Sequence, residues 1–175
     1  MTLIDDAGEV LNGFIKACAF DRPAGRVRAR FALTLDNHQD EVWRALTRPD
    51  WLVEWLAPGG IDLRPGGAVD LAFRDSGVVI ASTVMAFEPQ RLLEYSWSGP
   101  GEPQRPVRFE LTPEGPATHL AVSLSVPEVE DAARAAAGWA AHLDMLAAVL
   151  AGAPIRFPLP VFRAARELYQ RRLAS

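Results

Sequence analysis

From Ala68 to Val126 five short apolar runs follow one another with turn sequences between them. The runs are Ala68 to Phe73, Val78 to Phe87, Leu92 to Trp97, Val107 to Leu111 and His119 to Val126. Between them stand Asp75-Ser76-Gly77, Glu88-Pro89-Gln90, Gly99-Pro100-Gly101 and Pro113-Glu114-Gly115-Pro116. Such residues turn a chain because they fix φ or tolerate unusual φ, or bond their own backbone. A parallel neighbour needs a crossover of about a dozen residues or more, and these connections are shorter, so consecutive runs pair antiparallel. A sixth strand precedes them: Val27, Ala29, Phe31, Leu33 and Leu35 alternate with mostly polar residues. Period two over ten residues places one face on a core.

An antiparallel sheet with one apolar face needs a cover. The segment from Glu128 to Leu150 supplies it, with Trp139, Leu143, Leu146 and Leu150 in one stripe at helical spacing and alanines around them. Gly152 and Pro154 end that helix. Two short helices fall between the first strand and the rest. The first is capped by Asp36 or Asn37, carries Val42, Trp43 and Leu46, and ends at Pro49; the second carries Trp51, Leu52, Trp55 and Leu56. The expected class is α+β: a curved antiparallel sheet of six or seven strands wrapped around a long C-terminal helix, with a hollow between them.

Both ends add helical patterns. Leu3, Ala7, Val10, Leu11, Phe14, Ile15 and Cys18 lie on one face, with Thr2 or Asp5 as N-cap, until Arg22-Pro23-Ala24-Gly25 breaks the chain. Phe162, Ala165, Tyr169 and Leu173 repeat the spacing at the other end. The expected division is an N-terminal helical extension over 1–24, a central domain over 25–152 and a C-terminal helical extension over 153–175. The extensions need a surface for Phe14, Ile15, Phe162 and Tyr169, either on the domain or across a homodimer.

Composition narrows the function classes. With 49% apolar and 23% charged residues in 175, the chain has surface enough to bury one core without staples. The only cysteine, Cys18, excludes an internal disulfide framework and a cysteine-rich zinc site. No basic stretch followed by an apolar one opens the sequence, and the run from Met145 to Ile155 is short of the roughly 20 residues of a span. The expected setting is the cytoplasm, with no membrane. The net charge of −4 speaks against nucleic acid, although residues 153–175 carry five arginines against Glu167.

The order of elements resembles the helix-grip fold of START lipid-transfer domains and the major birch-pollen allergen. Particular residues narrow the resemblance. Val42-Trp43-Arg44-Ala45-Leu46 with Pro49, then Trp55, Pro58 and Leu63-Arg64-Pro65-Gly66-Gly67, is similar to the opening of the bacterial Aha-type (activator of heat-shock chaperone ATPase) homologues of the SRPBCC superfamily. Phe87-Glu88-Pro89-Gln90-Arg91-Leu92 with Tyr95 and Trp97 resembles that family's middle, and Gly138-Trp139 with Leu143 and Leu146 the start of its final helix. The likeness covers about Arg26 to Leu150. It implies a cavity able to hold a small apolar molecule, or a chaperone-regulator role.

Catalytic motifs are scarce. Arg64-Pro65-Gly66-Gly67 lacks the Lys-Ser/Thr of a phosphate loop and reads as a turn. No Gly-x-Ser-x-Gly elbow is present, and His38, His119 and His142 are too far apart for a helical metal motif. Asp5-Asp6 and Glu130-Asp131 stand at helix starts, where the macrodipole accounts for them. Cys18, on an apolar face, reads as an inert buried thiol. The positive signal is aromatic. Strand parity and the resemblance place Tyr95, Trp97, Phe109 and Trp139 toward the hollow, with His142 as its polar tip and Phe31 and Phe73 as core or wall. The reading is a non-catalytic protein that binds a small apolar or aromatic molecule through Tyr95, Trp97, Phe109, Trp139 and His142. No metal, cofactor or catalytic residue is expected. Two alternatives stand beside it: a module that binds a protein partner such as a chaperone, and a cyclase or hydrolase with His142 as acid/base.

Overall fold

The computed structural model describes residues 11–175. Its elements in chain order are α1 (Gly13–Lys16), β1 (Ala19–Asp21), β2 (Arg26–Leu35), α2 (Gln39–Thr47) and α3 (Pro49–Trp55). There follow β3 (Gly59–Ile61), β4 (Ala68–Ala72), β5 (Val79–Glu88), β6 (Leu92–Ser96), β7 (Pro106–Glu114), β8 (Ala117–Pro127), α4 (Ala132–Leu150) and α5 (Leu159–Ala174). The strands form one open antiparallel sheet in the order β1-β2-β8-β7-β6-β5-β4-β3.

The sheet has eight strands where six or seven were expected. The additions are β1 and β3, at the two edges, each three residues long. Three residues carry too little alternation to stand out in a sequence. The spacing predicts an N-terminal helix over Leu3 to Cys18. Its part before Leu11 lies outside the described residues, and among them only Gly13–Lys16 are helical, capped by the Asn12 side chain. Cys18 therefore sits between α1 and β1 rather than on a helical face. It is buried, and burial pushes its thiol up to about 12, which keeps it protonated and unreactive.

Alternation decides the faces. On β8, Leu120, Val122, Leu124 and Val126 are buried, and their register partners on β2 are Leu33, Phe31, Ala29 and Val27. Val107, Phe109 and Leu111 of β7 extend the same apolar surface. Helix α4 lies against it and buries Trp139, Leu143, Leu146 and Leu150, the stripe read from the sequence. The helix begins at Ala132 rather than Glu128, because Asp131 accepts a bond from Arg134 N at 3.0 Å and so sets the N-cap. Neither Asp36 nor Asn37 caps α2; His38 holds that position without a side-chain bond. Asn37 instead donates from Nδ2 to Leu150 O at 3.0 Å, satisfying a carbonyl at the open end of α4.

Gly67 shows a glycine the fold requires. A Cβ there would stand 2.0 Å from Asp62 O, so the turn between β3 and β4 closes only without a side chain. At the C-terminus, α5 folds back on α4 and buries Val161, Ala165 and Tyr169, while Phe162 is half-buried. Among the described residues no helix is long and apolar enough to cross a membrane.

Candidate functional site

A cleft of about 500 Å³ opens between α4, the ends of the central strands and the first turns of α5. Its wall is aromatic: Phe73, Trp97, Trp139, His142 and Phe162, with Val78 and Ile80 beside them. The rings meet edge to face. Trp97 and Trp139 are 4.8 Å apart at 71°, and Phe73 and Trp97 5.9 Å apart at 87°. Such contacts hold each ring in place and add about 0.5–1.5 kcal/mol apiece beyond burial. Phe157, in the connection between α4 and α5, sets its edge against His142 at 5.4 Å and approaches Phe162 at 5.9 Å.

Three of the five residues expected at the hollow, Trp97, Trp139 and His142, line this cleft. Tyr95 and Phe109 stand behind the wall. Both are fully buried, and Phe109 links Tyr95 (6.1 Å) to Trp139 (5.9 Å) as a supporting layer. Strand parity puts them on the correct face but says nothing about depth. Of the two wall or core candidates, Phe73 lines the cleft and Phe31 lies in the core.

His142 is held in one tautomer. Its Nδ1 lies 2.9 Å from Trp55 O, and a carbonyl can only accept, so Nδ1 carries the proton and Nε2 keeps its lone pair. Burial pulls its pKa below the ordinary value, outweighing the Trp55 carbonyl, which acts in the opposite direction. Neutral imidazole is therefore the form the fold favours. Because the unfolded chain takes up the proton first as pH falls, stability rises with pH across that interval. Between pH 7 and pH 5 the protein is expected to lose melting temperature, and His142→Phe to lose less over the same range. Equal slopes in thermal melts would contradict this placement of His142.

The cleft's rim is charged, and most of its charges are already committed. Arg105 donates from Nε to Glu130 Oε1 at 2.7 Å and from Nη2 to Glu130 Oε2 at 3.1 Å, and Nη1 lies 3.3 Å from Glu102 Oε2. Glu130 is the main reason that the Arg105 guanidinium is held above its ordinary pKa. Asp131, beyond capping α4, accepts from Arg166 Nη2 at 3.1 Å. Arg134 differs: among the described residues its guanidinium has no hydrogen-bond or ion-pair partner. Arg105 and Arg134 are site residues that the sequence does not single out, and Glu130, expected only as a helix-start acid, joins them at the rim. One signal was legible, since Arg134, Gly138 and His142 recur every fourth residue and so share a helix face.

A second hollow, on the outer face of the sheet, is lined by Arg28, Arg30 and Arg108. Its cations are taken by neighbours: Arg28 by Asp21, and Arg108 by Glu110 at 2.6 Å. Among the described residues no cluster of three or more histidine, cysteine or carboxylate side chains could hold a metal.

Solved structures of similar fold include CalU16 from Micromonospora echinospora, with a TM-score of 0.73 and 25% identity over 91% of this chain and 99% of that one. The protein encoded by BPP1335 of Bordetella parapertussis gives 0.69 and 29% identity, covering 86% and 87% of the two chains. DynU16, a protein of the dynemicin biosynthetic locus, gives 0.64 and 29%, with 78% of this chain matched to 51% of that one. No curated protein matches the sequence. The family model described as activator of Hsp90 ATPase homolog 1-like protein matches residues 36–151, which hold α2 through α4 and the cleft's aromatic wall up to His142. By that match and the shared fold, the chain belongs to the Aha1-like family of the SRPBCC superfamily.

Proposed function

We propose that this protein binds a small apolar or aromatic molecule in the cleft between the sheet and α4, holding it rather than transforming it. The observation that carries the reading is the pairing of an aromatic wall with a rim whose carboxylates are already engaged. Trp97, Trp139, Phe73 and Phe162 offer apolar surface in a space of about 500 Å³, within the range of small-molecule sites. Glu130 and Asp131 are tied to Arg105 and Arg166, so acid–base work would fall on His142 alone. DynU16, which has the same fold and comes from a biosynthetic locus, agrees with a small molecule as cargo. The lone buried thiol and the absence of a long apolar helix among the described residues fit a cytoplasmic setting.

The test is a fluorescence titration with 1-anilinonaphthalene-8-sulfonate. Saturable one-to-one binding is expected, and Ala135→Phe, which adds a ring inside the cleft, is expected to weaken it at least tenfold while the fold persists. No binding, or binding unchanged by that substitution, would overturn the proposal.

A further inference from the structure

Gly138 has no reason in the fold to be glycine. It stands in the middle of a 19-residue helix otherwise rich in alanine, and a Cβ built on it meets nothing within 4 Å. Glycine in a helix interior costs stability relative to alanine, so nothing local favours it there. Gly67, where a Cβ would strike backbone, is the contrasting case. What Gly138 does is line the cleft. It leaves a strip of bare helix backbone between two side chains that share its face, Arg134 one turn before and His142 one turn after.

Those flanking groups differ in chemistry and both have capacity to spare. His142 has Nδ1 engaged with Trp55 O, so Nε2 remains as a hydrogen-bond acceptor. Arg134 has no partner for its guanidinium among the described residues. Along the axis they are eight residues apart, about 12 Å at 1.5 Å per residue. Between them lies a strip with no side chain, walled by Trp97 and Trp139, which suits a flat ring system.

Resting on the cleft as the ligand site, we propose that its ligand is a flat aromatic acid that lies across α4 at Gly138. It gives a hydroxyl proton to His142 Nε2 at one end and a carboxylate to Arg134 at the other. Gly138 is the specificity-determining position, because any side chain there would occupy the space of the ring.

The experiment uses the full chain and three probes: 6-hydroxy-2-naphthoate, 2-naphthoate and 2-naphthol, titrated by calorimetry. The first is expected to bind at least tenfold tighter than either of the others. His142→Phe should remove the advantage over 2-naphthoate, and Arg134→Gln the advantage over 2-naphthol. Gly138→Ala is expected to raise the melting temperature by roughly 2–4 °C. Gly138→Leu, which also folds as helix, should lower affinity for 6-hydroxy-2-naphthoate at least tenfold without lowering the melting temperature. If all three naphthalenes bind equally, or if Gly138→Leu binds as the parent does, the inference is overturned while the cleft remains a binding site. If none of the three probes binds and 1-anilinonaphthalene-8-sulfonate does not either, the underlying reading fails as well.

Discussion

Replacing Trp139 by alanine is expected to lower the free energy of unfolding by about 3–5 kcal/mol, the usual cost of deleting a buried large ring. Trp139 is 3% exposed and sits where α4 crosses the sheet. Its ring meets Trp97 at 4.8 Å, Phe109 at 5.9 Å and Trp55 at 6.5 Å, joining three parts of the chain far apart in sequence. Domains of ordinary size have about 5–15 kcal/mol in all, so the variant should lie near the edge of folding. Trp139→Phe keeps a ring and should lose less. Urea denaturation decides the matter: a loss below about 1 kcal/mol would mean that neighbours refill the space and that the ring does not fasten helix to sheet.

The second large effect is expected at the far end of the chain. Tyr169 is fully buried, its hydroxyl donates to Ile15 O at 2.8 Å, and its ring approaches Phe20 at 5.2 Å and Phe31 at 6.5 Å. Burial, the largest cause, also pushes its phenol well above the ordinary value, so it stays a neutral donor. Arg172, one turn on, donates from Nη1 to Cys18 O at 2.9 Å and also to Lys16 O. Tyr169 is thus the main apolar anchor of α5 on α1 and β1. Tyr169→Ala is expected to cost about 3–5 kcal/mol, and Tyr169→Phe about 0.5–1.5 kcal/mol, because Ile15 O keeps its second donor, Cys18 N at 3.3 Å. Hydrogen exchange should show the loss concentrated in α5, with β7 and β8 keeping their protection. Because Phe162 of α5 lines the cleft, binding of 1-anilinonaphthalene-8-sulfonate should fall in the alanine variant too. Uniform exchange across the whole chain would contradict a separately anchored helix.

The sheet and α4 were legible because periodicity of two and of 3.6 is a direct imprint of which face is buried. Val27 through Leu35 and the Trp139–Leu150 stripe show it plainly, and each buried position falls where its period puts it. The edge strands escaped because three residues are too few to show an alternation; Gly59 and Gly60 of β3 have no side chains to alternate. Asp131 outcompeted an earlier start for α4 because a side-chain cap fixes a helix end more sharply than composition does. At the site, parity gave the face but not the depth, which is why Tyr95 and Phe109 support a wall that Trp97 and Trp139 present. Arg105 is tied to the start of α4 by Glu130, 25 residues away, a partnership no local pattern encodes.

The claim on which the rest depends is that an aromatic molecule lodges against Trp97 and Trp139. The chain has five tryptophans, each with its own indole N–H signal, which makes a ¹H–¹⁵N titration with 2-naphthol the most direct measurement. The expected result is saturable movement of the Trp97 and Trp139 signals, while Trp43 and Trp51, which do not line the cleft, stay in place. Signals that remain still at Trp97 and Trp139, or that move at Trp43 and Trp51 instead, would contradict it.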